Sequence, residues 1–142
     1  MKSLKAIISN KQNFALDTNI ELPPLAENEA LIKVMASPIN PVDWLPLFIG
    51  MGGIMGMEGA GIVEKVHDEK HQNLIGKWVA FMTWGAWSQY ANVKVDSLLE
   101  FNDDIDFEDI SYALVNPFTV CGMVDISQTD KASAIIVDAA AS

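Results

Sequence analysis

Gly56-Met57-Glu58-Gly59-Ala60-Gly61, running on into Ile62-Val63-Glu64-Lys65-Val66, is the stretch on which the fold turns. A glycine cluster of this kind has two common uses. Placed between a strand and a helix it cradles a pyrophosphate, and placed before a strand it lets another backbone approach closely. No strand pattern precedes Gly56 and no helical pattern follows Gly61, so close backbone packing is expected, with a strand over Gly61 to Val66.

On either side of that strand the chain continues in short strands punctuated by turn residues, as in an antiparallel barrel or sandwich. Leu4 to Ser9 is apolar and β-branched, and Glu29 to Ala36 lies between the polar turn Ala26-Glu27-Asn28 and Ser37-Pro38. After the polar loop Asp68 to Asn73, Gly76-Lys77 opens the run Trp78-Val79-Ala80-Phe81-Met82. Beyond the break Thr83-Trp84-Gly85, residues Ala86 to Val95 alternate apolar and polar positions.

From Leu99 onward the pattern changes. An acidic run, Glu100, Asp103, Asp104, Asp106, Glu108 and Asp109, leads into Ile110-Ser111-Tyr112-Ala113-Leu114-Val115. A helix beginning near Phe107 puts Asp106 at its N-cap and two carboxylates in its first turn, beside free N–H groups and the positive end of the dipole. Asn116-Pro117 repeats the signal, with Asn as N-cap and Pro as first helical residue of a second helix reaching about Ile126. Ala134-Ile135-Ile136-Val137 is continuously apolar and β-branched, the pattern of a strand buried on both faces of a parallel sheet. Such a strand needs a partner reached through a crossover, so a second domain is expected to begin there and the chain is expected to be truncated within it.

Composition excludes several classes. The 142 residues carry 19 acidic groups against 9 basic ones, for a net charge of −10. Every basic residue is a lysine, so no guanidinium fork is present for phosphate, and nucleic acid or an anionic membrane is an unsuitable partner. The longest uncharged stretches, Trp78 to Val93, Ile110 to Val124 and Trp44 to Met57, are all shorter than the roughly 18 apolar residues of a spanning helix. The N-terminus shows neither an apolar signal core nor an Arg-rich presequence, so a cytoplasmic location is expected. Cys121 is the single cysteine, which excludes an internal disulfide and a Cys-based structural zinc site.

Among candidate residues, Asn40-Pro41-Val42-Asp43-Trp44 follows the strand Glu29 to Ala36. Local physics makes it a turn, since Asn and Asp satisfy backbone groups and Pro fixes φ. Alternatively Asn40 and Asp43 project polar groups into a cleft floored by Trp44. His67 and His71 read as surface residues of a polar loop. Cys121, beside Gly122 and Met123, reads as a small buried hydrophobe. The tryptophans, with Met51, Met55 and Met57, read as core and groove lining, which also suits a planar ligand.

In this order the segments Glu29 to Val34, Ser37 to Trp44, Gly56 to Val63, Ile75 to Val79, Gly85 to Tyr90 and Asn116 to Thr119 resemble the N-terminal, GroES-like catalytic domain of the medium-chain dehydrogenase/reductase superfamily. They are most similar to its zinc-independent quinone oxidoreductase and enoyl reductase branches. The resemblance implies a mainly β (α+β) fold: a GroES-like, partly open β-barrel over residues 1–130, two C-terminal helices, and over 131–142 the first strand of a truncated Rossmann domain. It implies that Asn40 and Asp43 line the nicotinamide and substrate cleft as catalytic residues. Thr119 would lie against the nicotinamide, Asn116 would organise that helix end, and Trp44 and Trp84 would wall a planar substrate. The alcohol dehydrogenase branch has Cys where this chain has Asn40 and His where it has Met57, so no zinc is expected. Residues 44 to 57 contain no tyrosine, whereas enoyl reductases of this branch carry a tyrosine donor there, so a quinone or enone acceptor is expected. NADP(H) is the expected cofactor of the complete enzyme, bound weakly or not at all by this chain alone. A non-catalytic GroES-like interaction module that forms a homo-oligomer is the alternative.

Overall fold

The computed structural model describes residues 4–134 and 136. The elements in chain order are β1 (Leu4–Asn10), β2 (Phe14–Ile20), β3 (Glu29–Ala36), α1 (Leu45–Phe48), β4 (Gly52–Ile54), β5 (Glu58–Val66), β6 (Trp78–Met82), β7 (Tyr90–Lys94), β8 (Leu98–Phe101), α2 (Phe107–Ser111) and α3 (Val115–Thr129). The strands form an antiparallel sheet of order β2-β1-β4 and another of order β7-β3-β5-β6-β8. Residues 86–89 join the two: Ser88 bridges Ala6, the Ile7 N–H donates to the Trp87 carbonyl at 2.8 Å, and the Val34 N–H donates to the Gln89 carbonyl at 3.0 Å. The result is the partly open, mainly β barrel expected from the sequence.

β5 is the central strand, and its side chains alternate between two cores. On one face Val63 joins Ile32, Val79, Phe81 and Val93 in the barrel interior. On the other face Ala60 and Ala80 leave room for α2, whose Ile110 is buried against them together with Leu114. Trp78 closes that layer by stacking on Phe107, with ring centroids 3.9 Å apart.

Several boundaries differ from the sequence reading. The glycine cluster does not precede the strand; Glu58 to Gly61 are its first residues, and Gly61 is paired with Val34 and Val79. A Cβ built on Gly61 would lie 2.2 Å from the Lys33 carbonyl oxygen, so the close backbone packing expected of the cluster is realised. Strands β2, β4 and β8 were not marked by the pattern, because β2 is largely exposed and the other two are short. Asp106 is the N-cap of α2 as expected, through its backbone rather than its side chain. The second helix begins earlier than Pro117: Leu114 is its N-cap, and Asn116 and Pro117 lie within its first turn. Pro is tolerated there because first-turn N–H groups have no intrahelical acceptor. Cys121 is exposed, not buried, since α3 buries none of its residues in the described structure. Of the expected strand Ala134 to Val137, Ala134 and Ile136 have irregular backbone, and the rest lies outside the described residues together with Asp138 to Ser142. Among the described residues no helix is long and apolar enough to cross a membrane.

Gly61→Ala forces its methyl group onto β3 backbone that cannot yield as a side-chain tip would. The expected loss, read from urea unfolding, is at least the roughly 1–3 kcal/mol of an overpacked core; an unchanged midpoint would contradict the β3–β5 contact.

Candidate functional site

Past the end of β3, Asn40 takes an extended conformation and Pro41 starts a single 3-10 turn, Pro41–Trp44. Asn40 and Asp43 face each other across it in capping-box fashion. The Asp43 Oδ2 accepts the Asn40 N–H at 2.7 Å, and the Asp43 N–H donates to the Asn40 carbonyl at 3.0 Å. The turn expected from local physics is therefore formed and is built by its own polar groups, and those groups are buried. Asn40 is 5% exposed and Asp43 is 0% exposed.

A further residue, not singled out by sequence reasoning, completes the cluster. Glu58, at the start of β5, is 1% exposed. Its Oε1 accepts a hydrogen bond from Asn40 Nδ2 at 2.9 Å, and its Oε2 accepts the Val115 N–H at 2.8 Å. The available signal was one carboxylate among Gly56, Met57, Gly59, Ala60 and Gly61: a charge inside a buried strand must find donors.

Glu58 thereby ties the Asn40 turn to the first turn of α3, which carries Asn116 and Thr119. Thr119 donates its hydroxyl proton to the Val115 carbonyl at 2.7 Å, leaving only its oxygen lone pairs to offer a ligand. Asn116 and Thr119 are both exposed, and Asn116 is not the helix cap.

The two candidate aromatic walls stand on different supports. Trp44 is 46% exposed and leans on Phe14 of β2, with centroids 4.9 Å apart. Trp84 is 52% exposed on the loop after β6. That loop is held to the glycine cluster by the Thr83 N–H to the Met57 carbonyl at 3.0 Å and the Gly85 N–H to the Gly56 carbonyl at 2.9 Å. Trp87 locks the arrangement: its ring fills the space a Gly56 side chain would need, and its indole N–H donates to the Pro38 carbonyl at 3.0 Å. Among the described residues no ring contact joins Trp44 to Trp84.

Asp43 is the electrostatically strained member. Burial pushes its pKa above the ordinary value and the Glu58 charge adds to the rise, while the Asn40 and Met57 N–H groups pull the other way. Its Oδ1 is buried without a hydrogen bond of acceptable geometry, so Met57 helps it only through its field.

Other hollows and polar groups lie outside this cluster. A groove of about 580 Å³ lined by Leu22, Pro23, Leu31, Val66 and Tyr90 contains none of the candidate residues. His67 pairs with Asp68 at 3.0 Å and His71 with the Asn28 side chain at 3.1 Å. Among the described residues no group of three or more His, Cys, Asp or Glu is placed to hold a metal ion.

Residues 26–103 match the family model of the alcohol dehydrogenase GroES-like domain. Over 133 residues the chain is 29% identical to a trans-enoyl reductase of Alternaria alternata, a match covering 84% of this chain and 39% of that protein. A solved structure from Mesorhizobium loti, provisionally assigned as an NADPH:quinone reductase, has a TM-score of 0.79 at 27% identity, covering 92% of this chain and 45% of that one. A protein of the same provisional assignment from Bacillus thuringiensis has a TM-score of 0.74 at 30% identity, covering 89% of this chain and 41% of that one. The matched part of the chain thus spans about two fifths to under half of the length of these proteins.

The raised Asp43 pKa has a definite sign. The folded state holds the Asp43 proton more tightly than the unfolded chain, so its stabilising effect is complete below the ordinary aspartate range and is lost as pH rises through the folded-state value. Stability of the parent relative to Asp43→Asn is therefore expected to decline as pH rises from about 4 toward neutrality. The opposing slopes of Glu29 and Asp68, both lowered, cancel in the comparison. Parallel stability curves for the two proteins would contradict the assignment.

Proposed function

The chain belongs to the alcohol dehydrogenase GroES-like domain family, in the quinone oxidoreductase and enoyl reductase branch of the medium-chain dehydrogenase/reductase superfamily, and we propose that it forms the catalytic part of an NADPH-dependent oxidoreductase. Its acceptor in this reading is a quinone, an enone or another conjugated small molecule. The observation that carries the reading is the buried Asn40–Asp43–Glu58 cluster at the foot of α3. The division of labour places the catalytic part within residues 1–130 and the start of a dinucleotide-binding domain at 131–142.

The donor set supports a reaction without zinc. An amide hydrogen-bonded to Glu58 and the thioether of Met57 replace the thiolate and imidazole of a zinc site. The described residues suit the nicotinamide end of the cofactor: the second Asn40 Nδ2 N–H, the Asn116 amide and the Thr119 oxygen are groups a carboxamide and ribose can use. They include no glycine turn leading into a helix and no arginine, so they offer no cradle for the pyrophosphate. The cofactor, when bound, supplies a hydride. This chain's contribution is to hold an acceptor carbonyl, so that hydride reaches the β-carbon while negative charge gathers on the oxygen, which a buried donor stabilises before a proton arrives. Asn40 is that donor in our reading. Asp43 is fully buried and acts by shaping the turn. Trp44 and Trp84 offer planar, half-exposed walls. The acidic, arginine-free composition favours a small-molecule partner and is in keeping with the cytoplasm.

A second reading, a non-catalytic module that self-associates, is favoured by α3, where Phe118, Met123 and Ile126 are all more than half exposed. In the first reading the same side chains pack against the remainder of the enzyme. Sedimentation of the 142-residue chain separates the two, because a single defined oligomer favours the module.

The polypeptide made from the complete reading frame is expected to oxidise NADPH with a quinone or an enone, and Asn40→Ala to lower kcat about a hundredfold, as loss of an oxyanion donor does. The 142-residue chain alone is expected to show neither turnover nor saturable NADPH binding. Saturable NADPH binding by the complete polypeptide without turnover of either acceptor class would overturn the proposal.

A further inference from the structure

We propose that Glu58 is a positioning residue that sets the polarity of Asn40 and thereby the kind of ligand group the cleft accepts. The inference rests on the reading of Asn40 as a cleft donor and goes beyond it. A carboxylate only accepts hydrogen bonds. With Glu58 Oε1 at 2.9 Å, the Asn40 amide must turn its NH2 group toward Glu58 and its carbonyl away. The side-chain carbonyl then lies on the side of the turn, where the Asp43 N–H is bonded to the Asn40 backbone carbonyl at 3.0 Å. One N–H of Nδ2 is left on this side of the amide, so the group that Glu58 directs toward a ligand is a donor. The complementary group is an oxygen acceptor: a ketone or quinone carbonyl, the enolate-like oxygen formed from it, or a carboxamide oxygen.

The clamp is built to keep this orientation. Glu58 stands on the central strand β5, not on a loop, and its other oxygen is held by the Val115 N–H at 2.8 Å, a charge-assisted bond at the positive end of α3. Among the described residues Glu58 makes no ion pair, so donors alone keep its charge in place. A neutral glutamine has one acceptor where the structure needs two. Its oxygen can serve Val115, but its NH2 group then confronts the Asn40 NH2 group, and Asn40 must flip, which withdraws the donor from the cleft while the two bonds made by the Asn40 backbone stay in place.

Glu58→Gln is therefore expected to reduce kcat in the complete polypeptide about as far as Asn40→Ala, roughly a hundredfold. Because Glu58 acts through Asn40, adding E58Q to N40A is expected to lower kcat less than threefold further, whereas an independent structural role multiplies the two losses. A wild-type kcat for E58Q beside an impaired N40A, or multiplicative losses, overturns the proposal. If N40A itself leaves turnover intact, the cleft reading fails and the proposed donor polarity fails with it. Amide exchange of this chain then still reports on the clamp: in Glu58→Ala a Val115 N–H exchanging tenfold faster or more retains the anchoring of α3, and unchanged exchange removes that too. Where E58Q does not fold, the swap N40D/E58Q restores a donor facing an acceptor. A folded but inactive swap supports the polarity argument, and failure of both variants to fold overturns it.

Discussion

A carboxylate removed from water has to be met by donors, and the placement of Glu58 makes that requirement organise the molecule around it. The cost of an unpaired buried charge is several kcal/mol or more. Two N–H groups from distant parts of the chain, those of Asn40 and Val115, meet it. The loop after β3 and the start of the long helix are thus referred to one point on the central strand. Because α3 buries none of its own residues, the Glu58–Val115 bond and the buried Leu114 at its N-cap are what fix the helix start against the barrel.

Small residues make the arrangement possible. Gly61 lets β5 run against the Lys33 carbonyl, and Ala60 and Ala80 let α2 settle on the outer face of the sheet. Gly56, with φ of +89°, leaves room for the Trp87 ring, which in turn reaches the carbonyl of Pro38. The glycine cluster therefore serves packing, and the turn and loop that carry the candidate residues are anchored to the sheet through Glu58 and the Gly56 and Met57 carbonyls. Close to this rigid frame, the charge on Asp43 is disfavoured: the residue forms the turn with Asn40 yet has a buried oxygen without a hydrogen bond, beside a second carboxylate. Such local strain is characteristic of functional clefts.

Much of the barrel was legible because it depends on local period and punctuation. Glu29–Ala36 and Trp78–Met82 have the bounds their alternation and flanking turns suggest, and α2 starts behind Asp106. Strands β4 and β8 were illegible, since three or four residues carry too little pattern and owe their pairing to neighbours across the sheet. Cys121 was misplaced for a related reason: an apolar helix looks buried in sequence, whatever lies against it.

For the site, the Asn40-Pro41-Val42-Asp43 sequence by itself determined a turn whose polar groups bond one another, because those bonds span only a few residues. That Asn40 and Met57 stand where the resemblance puts the Cys and His of the alcohol dehydrogenase branch was legible too, since residue type is read directly. The start of α3 two residues earlier than Asn-Pro suggested, the unbonded oxygen of Asp43 and the two hydrogen bonds of Glu58 were decided only by the tertiary structure. The Glu58 carboxylate and the Val115 amide are 57 residues apart, and no local rule of sequence reports a bond between groups that folding alone brings together.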